Sequence, residues 1–202
     1  QTPSGDFAYW SGAGVNDWTN SYVGHFLLEA ERLGYEVPKQ QLSAWKRRQG
    51  ELAKGWRDDG SRAREEQSYR LLTLALARSP QLGAMNRLRQ SEKLEETSRW
   101  LLARAYALIG QVEAARELIQ GLTLPERAEP EPELMRGFRS LTRDRALALT
   151  SLVALQDRER AESLALELIA GLAEQAAAHT HELATALRAL GVWAGSLGSQ
   201  EG

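Results

Sequence analysis

Residues 9–38 read YWSGAGVNDWTNSYVGHFLLEAERLGYEVP, a glycine-rich turn followed by an amphipathic helical pattern. Ser11-Gly-Ala-Gly supplies two glycines that let the backbone turn sharply beneath Tyr9 and Trp10. A helix follows. Asp17 is a good N-cap, because its carboxylate can accept from amides two or three residues on and its charge suits the positive end of the helix dipole. Trp18, Tyr22, Phe26, Ala30 and Leu33 recur at steps of four and three, widened by Val23 and Leu27, which predicts one buried face. His25, in mid-helix beside Phe26, reads as a polar edge residue. Gly34 is a candidate left-handed cap, and Pro38 marks where the next element begins.

Eight further helical segments follow by the same periodicity, near residues 39–56, 62–78, 81–90, 94–109, 112–120, 141–155, 158–175 and 181–194. They fall into two kinds. The segments holding Leu71, Leu72 and Leu74, then Trp100, Leu101 and Leu102, then Leu147, Leu149 and Leu152 are apolar almost all round, as is the last one with Leu183, Leu187 and Trp193. Those between them, such as the one with Ala161, Leu164 and Leu168, carry a narrow stripe. Asp58-Asp-Gly-Ser, Ser79-Pro80 and Gly110 punctuate the series, and residues 121–139, with three prolines, read as a surface crossing. No useful β-alternation occurs.

A helix apolar on every side needs neighbours on several sides. Wide and narrow segments alternating at roughly 35 to 45 residues therefore predict stacked helical hairpins, with wide helices in an inner layer and narrow ones outside. The geometry can be an open solenoid or a ring. Trp100-Leu-Leu-x-x-Ala-Tyr-Ala-Leu-Ile-Gly-Gln-x-Glu-Ala-Ala echoes a tetratricopeptide unit, which shares the periodicity.

Composition excludes several functions. The chain has 202 residues, 43% apolar and 26% charged, which supports one domain with a substantial core. A net charge of −2 offers no basic footprint for nucleic acid. With no cysteine, this chain cannot itself build a disulfide, a zinc-thiolate cluster or a thioester. No run is long and apolar enough to span a membrane, so direct membrane insertion is not expected, and Gln1-Thr-Pro-Ser-Gly is not a signal peptide. From its ends the chain reads as a piece of a longer polypeptide.

An aromatic-Trp pair, a Gly-rich turn, Trp18-Thr-x-Ser-Tyr and Phe26-Leu-Leu-Glu-Ala resemble the thioester-domain region of bacterial alpha-2-macroglobulins. The likeness continues through Trp45-Lys-Arg-Arg-Gln, Tyr69-Arg-Leu-Leu-Thr-Leu-Ala-Leu-Ala, Leu82-Gly-Ala-Met-Asn-Arg-Leu and Ala105-Tyr-Ala-Leu-Ile-Gly-Gln. Beyond that it is one of helical pattern. The resemblance implies the ring: an all-α, partial α/α toroid in which residues 1–202 form the C-terminal, larger part of the thioester domain. It implies that early helices lie upstream, along with the Cys-x-Glu-Gln motif whose side chains form the internal thioester. Tyr9, Trp10 and Trp18 match the segment next to the reactive loop and are the candidate wall of the thioester pocket, with plugging the end of the barrel as the alternative. By the same resemblance the parent inhibits proteases, sits in the periplasm or cell envelope, and has proteases and its own other domains as partners.

No catalytic residue, cofactor or metal is expected of this chain. His179-x-His181 has half the ligands of a metal site, but its spacing does not put both rings on one helical face, so it reads as a solvated turn. Arg62 to Glu66 reads as a solvated, mixed-charge helix start. No histidine lies between His25 and His179 to take over an acyl group, so direct reaction of the thioester with amines is expected. Two rival functions remain: an α-solenoid scaffold for a peptide or protein, and a polysaccharide-cleaving α/α barrel. The barrel is disfavoured because the wide helices bring alanine and leucine inward rather than paired carboxylates.

Overall fold

The structure, a computed structural model, describes residues 2–8, 10, 14–125, 140–174 and 179–198. Among these there are nine helices and no strand: α1 (Asp17–Arg32), α2 (Lys39–Gly55), α3 (Ser61–Leu76), α4 (Leu82–Arg89), α5 (Glu96–Leu108), α6 (Val112–Ile119), α7 (Leu141–Ala154), α8 (Arg158–Glu174) and α9 (Thr180–Gly198). Most of the expected surface crossing at 121–139 lies outside the described residues.

The odd-numbered helices pack side by side in order, α1 on α3, α3 on α5, α5 on α7 and α7 on α9, and the even-numbered ones lie against them from outside. The inner layer curls. Trp18 at the start of α1 meets His181 at the start of α9, with ring centroids 5.0 Å apart, and Arg188 of α9 lies 3.9 Å from Glu29 of α1. The fold is a partial α/α toroid of stacked hairpins in two layers.

Burial follows the two helix types where neighbours exist. In α3, α5 and α7 nearly the whole circumference is covered, and Leu71, Leu72, Leu74, Trp100, Leu102, Leu149 and Leu152 join one continuous core. Each such side chain contributes about 1.5–3 kcal/mol on burial. Alanines at 103, 105, 146 and 148 keep inner neighbours close, and Ser151 Oγ donates 2.9 Å to the Trp100 carbonyl across α7 and α5. Helix α9 departs from the expectation of a wide buried helix. Only Glu182, Ala186 and Ala189 are buried, and Leu187 is 56% exposed, because α9 packs closely on α7, less on α8, and meets α1 only through side chains such as His181 and Arg188.

The ends of the inner helices share one device. In α1, α3, α5 and α7 the chain leaves through a left-handed residue: Gly34, Arg78, Gly110 and Gln156. In each case the next amide reaches back five residues, as Ser79 N does to the Leu74 carbonyl at 2.9 Å. Glycine at two of these positions avoids the Cβ clash that Arg78 and Gln156 tolerate. At the N-termini, Asn16 rather than Asp17 caps α1, its Oδ1 accepting from Thr19 N at 2.9 Å, and Ser140 caps α7. Asp17 sits one place into the helix and pairs with buried Arg70 at 2.8 Å.

Helix α1 does not bury the face its apolar stripe predicts. Thr19, Asn20, Ser21, Gly24 and His25 are the buried residues, while Phe26 is 65% exposed. Two contacts decide this rotation. Trp45 of α2, fully buried, lies across Gly24 so closely that a Cβ there would fall 2.0 Å from its ring, and its Nε1 donates to the Asn20 carbonyl at 3.0 Å. Asp6, also buried, accepts from Asn20 Nδ2 (2.9 Å), Ser4 Oγ (2.8 Å) and Arg48 Nε (3.0 Å), pinning the N-terminal segment over α1 and α2. His25 is therefore not a polar edge residue. It is buried with its Nδ1 3.1 Å from the Tyr69 hydroxyl, and desolvation lowers its pKa to about 4 against the smaller opposing pull of Glu29. Nor is Arg62 to Glu66 wholly solvated, since Arg64 is buried and paired with Glu95 (2.6 Å) and Asp58 (2.7 Å).

Two outcomes are expected. Gly24→Ala forces the Trp45 ring off α1 and lowers unfolding free energy by about 1–3 kcal/mol, the usual cost of overpacking; urea denaturation checks it, and an unchanged midpoint contradicts the packing. His25 is neutral in the fold but takes a proton once unfolded below its ordinary value of 6.5, so its contribution is fully present above that pH and is lost as pH falls towards about 4. The loss is up to about 3 kcal/mol. Comparing denaturation at pH 7.5 and 4.5, wild type should lose more stability than His25→Gln; equal losses would remove the cause.

Candidate functional site

Inside the curl lies a cavity of about 220 Å³ on the axis of the inner layer, walled by side chains from α1, α3, α5, α7 and α9. The inner helices run parallel, because each alternates with an outer return helix, so their first turns gather at one end. There Trp18 stacks on Tyr22 (5.2 Å, 12° between planes) and meets His181 edge-on at 67°. This aromatic group forms the mouth. Leu101 and Leu147 supply apolar wall, and His25, Glu29 and Arg188 lie deeper.

The deep end is crowded with charge. Glu29 Oε2 accepts from Arg32 Nε at 2.8 Å, while its Oε1 stands 3.8 Å from His25 Nε2 and 3.9 Å from Arg188 Nη1, both beyond hydrogen-bond length. His25 first, then Arg32 and Arg188, hold the Glu29 carboxyl down to about 2 despite burial. Arg143, near the start of α7 and so at the His181 end of the cavity instead, pairs with Glu65 at 2.6 Å. Arg104, one helical turn past Leu101 on the same face of α5, is 5% exposed and has no hydrogen bond or ion pair among the described residues. Desolvation, followed by repulsion from Arg188, lowers it to about 9, which leaves it charged at neutral pH. Burial pushes the Tyr69 phenol up to about 12 and, with Arg143, lowers His181.

Such an arrangement can exclude water at its aromatic end and offers hydrogen-bonding groups at its deep end. Thr185, the hydroxyl-bearing aliphatic side chain in the wall, already donates to the His181 carbonyl at 2.8 Å. Among the described residues no group of three or more metal-ligating side chains comes together. No described helix is long and apolar enough to cross a membrane.

Of the three aromatic residues singled out in the sequence, Trp18 lines the cavity. Trp10 is 71% exposed and is not part of its wall, and Tyr9 lies outside the described residues. His179 is exposed as expected, but His181 is half-buried against Trp18 instead of belonging to a solvated turn. The sequence reading missed His25, Glu29, Arg104 and Arg188. For Arg104 a signal existed: it is the one charge in the run Trp100 to Leu108, which is otherwise apolar apart from the Tyr106 hydroxyl.

No protein-family model matches the chain, and no curated protein sequence does. Solved structures do. The chain is similar to Salmonella alpha-2-macroglobulin reacted with methylamine, with a TM-score of 0.75 and 22% identity over 96% of this chain and 13% of that one. It is equally similar, at 0.75 and 22%, to native alpha-2-macroglobulin from Escherichia coli in a structure running to the C-terminus, over 98% of this chain and 32% of that one. The Escherichia coli protein activated by porcine elastase matches with the same score and identity over 95% of this chain and 18% of its own. The chain thus spans between 13% and 32% of these relatives' lengths. At such identity the likeness is one of fold: this chain has the all-helical, two-layered toroid found within bacterial alpha-2-macroglobulins.

Proposed function

We propose that residues 1–202 are the larger, C-terminal part of the thioester domain of a bacterial alpha-2-macroglobulin-like protease inhibitor, with no catalytic activity of their own. One observation carries the reading. Side chains from five inner helices meet around one cavity whose aromatic end is formed by Trp18, Tyr22 and His181, within a fold that superposes along 96% of the chain. A thioester in contact with water is lost to hydrolysis, so its pocket must stay dry until cleavage of a bait region exposes it. Trp18, stacked on Tyr22 and met edge-on by His181, supplies such a dry edge, and Tyr9 and Trp10 belong to the same wall when the remaining helices are in place. The relatives fit this chemistry: one structure is of a protein reacted with a small amine, another of a protein activated by a protease. On this reading the parent acts in the periplasm or cell envelope, its partners are incoming proteases and its own other domains, and the acyl group passes directly to amines such as lysine side chains. An open solenoid scaffold is disfavoured by the return of α9 to α1.

The experiment uses the full reading frame that contains this chain. Challenged with elastase, it should leave the protease active on a small peptide but blocked on a large protein, with a protease adduct that survives denaturing electrophoresis. Trp18→Ala should release the thioester thiol several-fold faster in buffer without protease. A protease equally active on both substrates after bait cleavage rejects the inhibitor reading, and thiol release unchanged by Trp18→Ala removes that residue from the wall.

A further inference from the structure

At the deep end of the axial cavity three polar atoms face one another without touching. His25 and Glu29 stand one turn apart on α1, with Arg188 opposite them on α9. Glu29 Oε1 is 3.8 Å from His25 Nε2 and 3.9 Å from Arg188 Nη1, close enough for attraction between charges but longer than a hydrogen bond. Both nitrogens are buried and make no hydrogen bond among the described residues. A buried donor left in that state is costly, and the His25 side chain that carries one of them is itself 5% exposed. The other ring nitrogen fixes what Nε2 can do. His25 Nδ1 lies 3.1 Å from the Tyr69 hydroxyl, and because Nε2 faces a carboxylate the single proton of the neutral ring belongs on Nε2, leaving Nδ1 to accept from Tyr69. The gap therefore presents two donors, His25 Nε2 and Arg188 Nη1, around one acceptor, Glu29 Oε1.

We propose that the axial cavity binds a single aromatic ring that carries a hydroxyl group. The hydroxyl oxygen accepts from His25 Nε2 and donates to Glu29 Oε1, since one oxygen can lie about 2.8 Å from each of two atoms so spaced. The ring lies along Leu101, Leu147 and the Trp18–Tyr22 stack, the apolar part of the same wall. Size agrees. An apolar cavity of about 150 Å³ is enough to hold benzene, and this one offers about 220 Å³, room for one ring with a short substituent. Rival occupants fit half of the site each. A carboxylate meets the like charge of Glu29, an ammonium meets two donors, and Arg143 near the mouth is already committed to Glu65. A water satisfies the polar atoms and leaves the apolar wall uncovered. The same chemistry has two sources, a free phenol or a tyrosine side chain from another polypeptide segment. The inference does not rest on the thioester reading, since it needs only the cavity and its polar end.

Calorimetric titration of the 202-residue chain at neutral pH tests it, with phenol, anisole, toluene and N-acetyl-tyrosinamide as probes. Phenol or the tyrosine amide should bind saturably, and whichever binds more tightly identifies the source. Toluene, which lacks the oxygen, and anisole, which keeps it but has no proton to give, should bind about tenfold more weakly or worse. His25→Phe keeps a ring and removes the donor. Glu29→Met, at a partly exposed position and so safer for folding, removes the acceptor. Either variant should weaken the preferred ligand by about tenfold without weakening toluene, a split that general damage to the cavity would not produce. No saturable binding of either hydroxyl probe, which leaves an ordered water only, overturns the proposal. So does toluene or anisole binding as tightly as phenol, or an unchanged affinity for the preferred ligand in a folded His25→Phe or Glu29→Met protein.

Discussion

A helix that is apolar on every side has to be surrounded, and that requirement shapes the molecule. Three consecutive inner helices, α3, α5 and α7, are covered almost completely, and each obtains its cover from two inner neighbours and from outer helices behind. With four such contacts made in sequence, the chain has little choice but to build two layers. Both layers bury large and small side chains, Trp100, Leu102, Ala103 and Ala148 within and Met85, Leu88, Ala115 and Ala161 outside, and the inner layer curls until α9 meets α1.

The curl in turn creates the site. Parallel inner helices leave a space on their common axis, and what they place there is not core. Aromatic rings gather at one end beside Arg143, and Glu29 and Arg188 lie towards the other, with His25 held neutral between Tyr69 and Glu29 by burial. These polar groups are tolerated because buried charges find partners on neighbouring helices, as Arg143 of α7 does in Glu65 of α3, and Arg70 of α3 in Asp17 of α1, Gln49 of α2 and Gln67 of its own helix. Arg104 is the exception, buried with its Nη1 lacking a hydrogen bond.

Outer helices are held by a different mechanism. Arginines projecting from neighbouring elements cap their final carbonyls: Arg87 reaches the carbonyls of Ala53 and Lys54 at the end of α2, and Arg99 reaches that of Leu118 at the end of α6. These contacts satisfy groups that every helix C-terminus leaves open. They also explain how helices as short as α4 and α6 hold their places with a narrow apolar stripe.

The sequence by itself determined the number of helices, nearly all their limits and which of them lie inside, because periodicity and the width of an apolar face are local properties that neighbours cannot alter. It also marked Trp18 as part of a special segment. What it could not determine was how α1 is turned. A stripe of Trp18, Tyr22, Phe26 and Leu33 looks like a buried face, yet the fold buries Asn20, Gly24 and His25 instead, since a tryptophan from α2 fits only over a residue without a Cβ and a carboxylate from the N-terminal segment needs Asn20. Those partners lie 14 and more residues away along the chain. The clustering of Arg104, Arg188, Glu29 and His25 is likewise invisible in one dimension: charge proximity across an axis depends on the curvature of the whole inner layer, and that curvature is settled only when all five helices are packed.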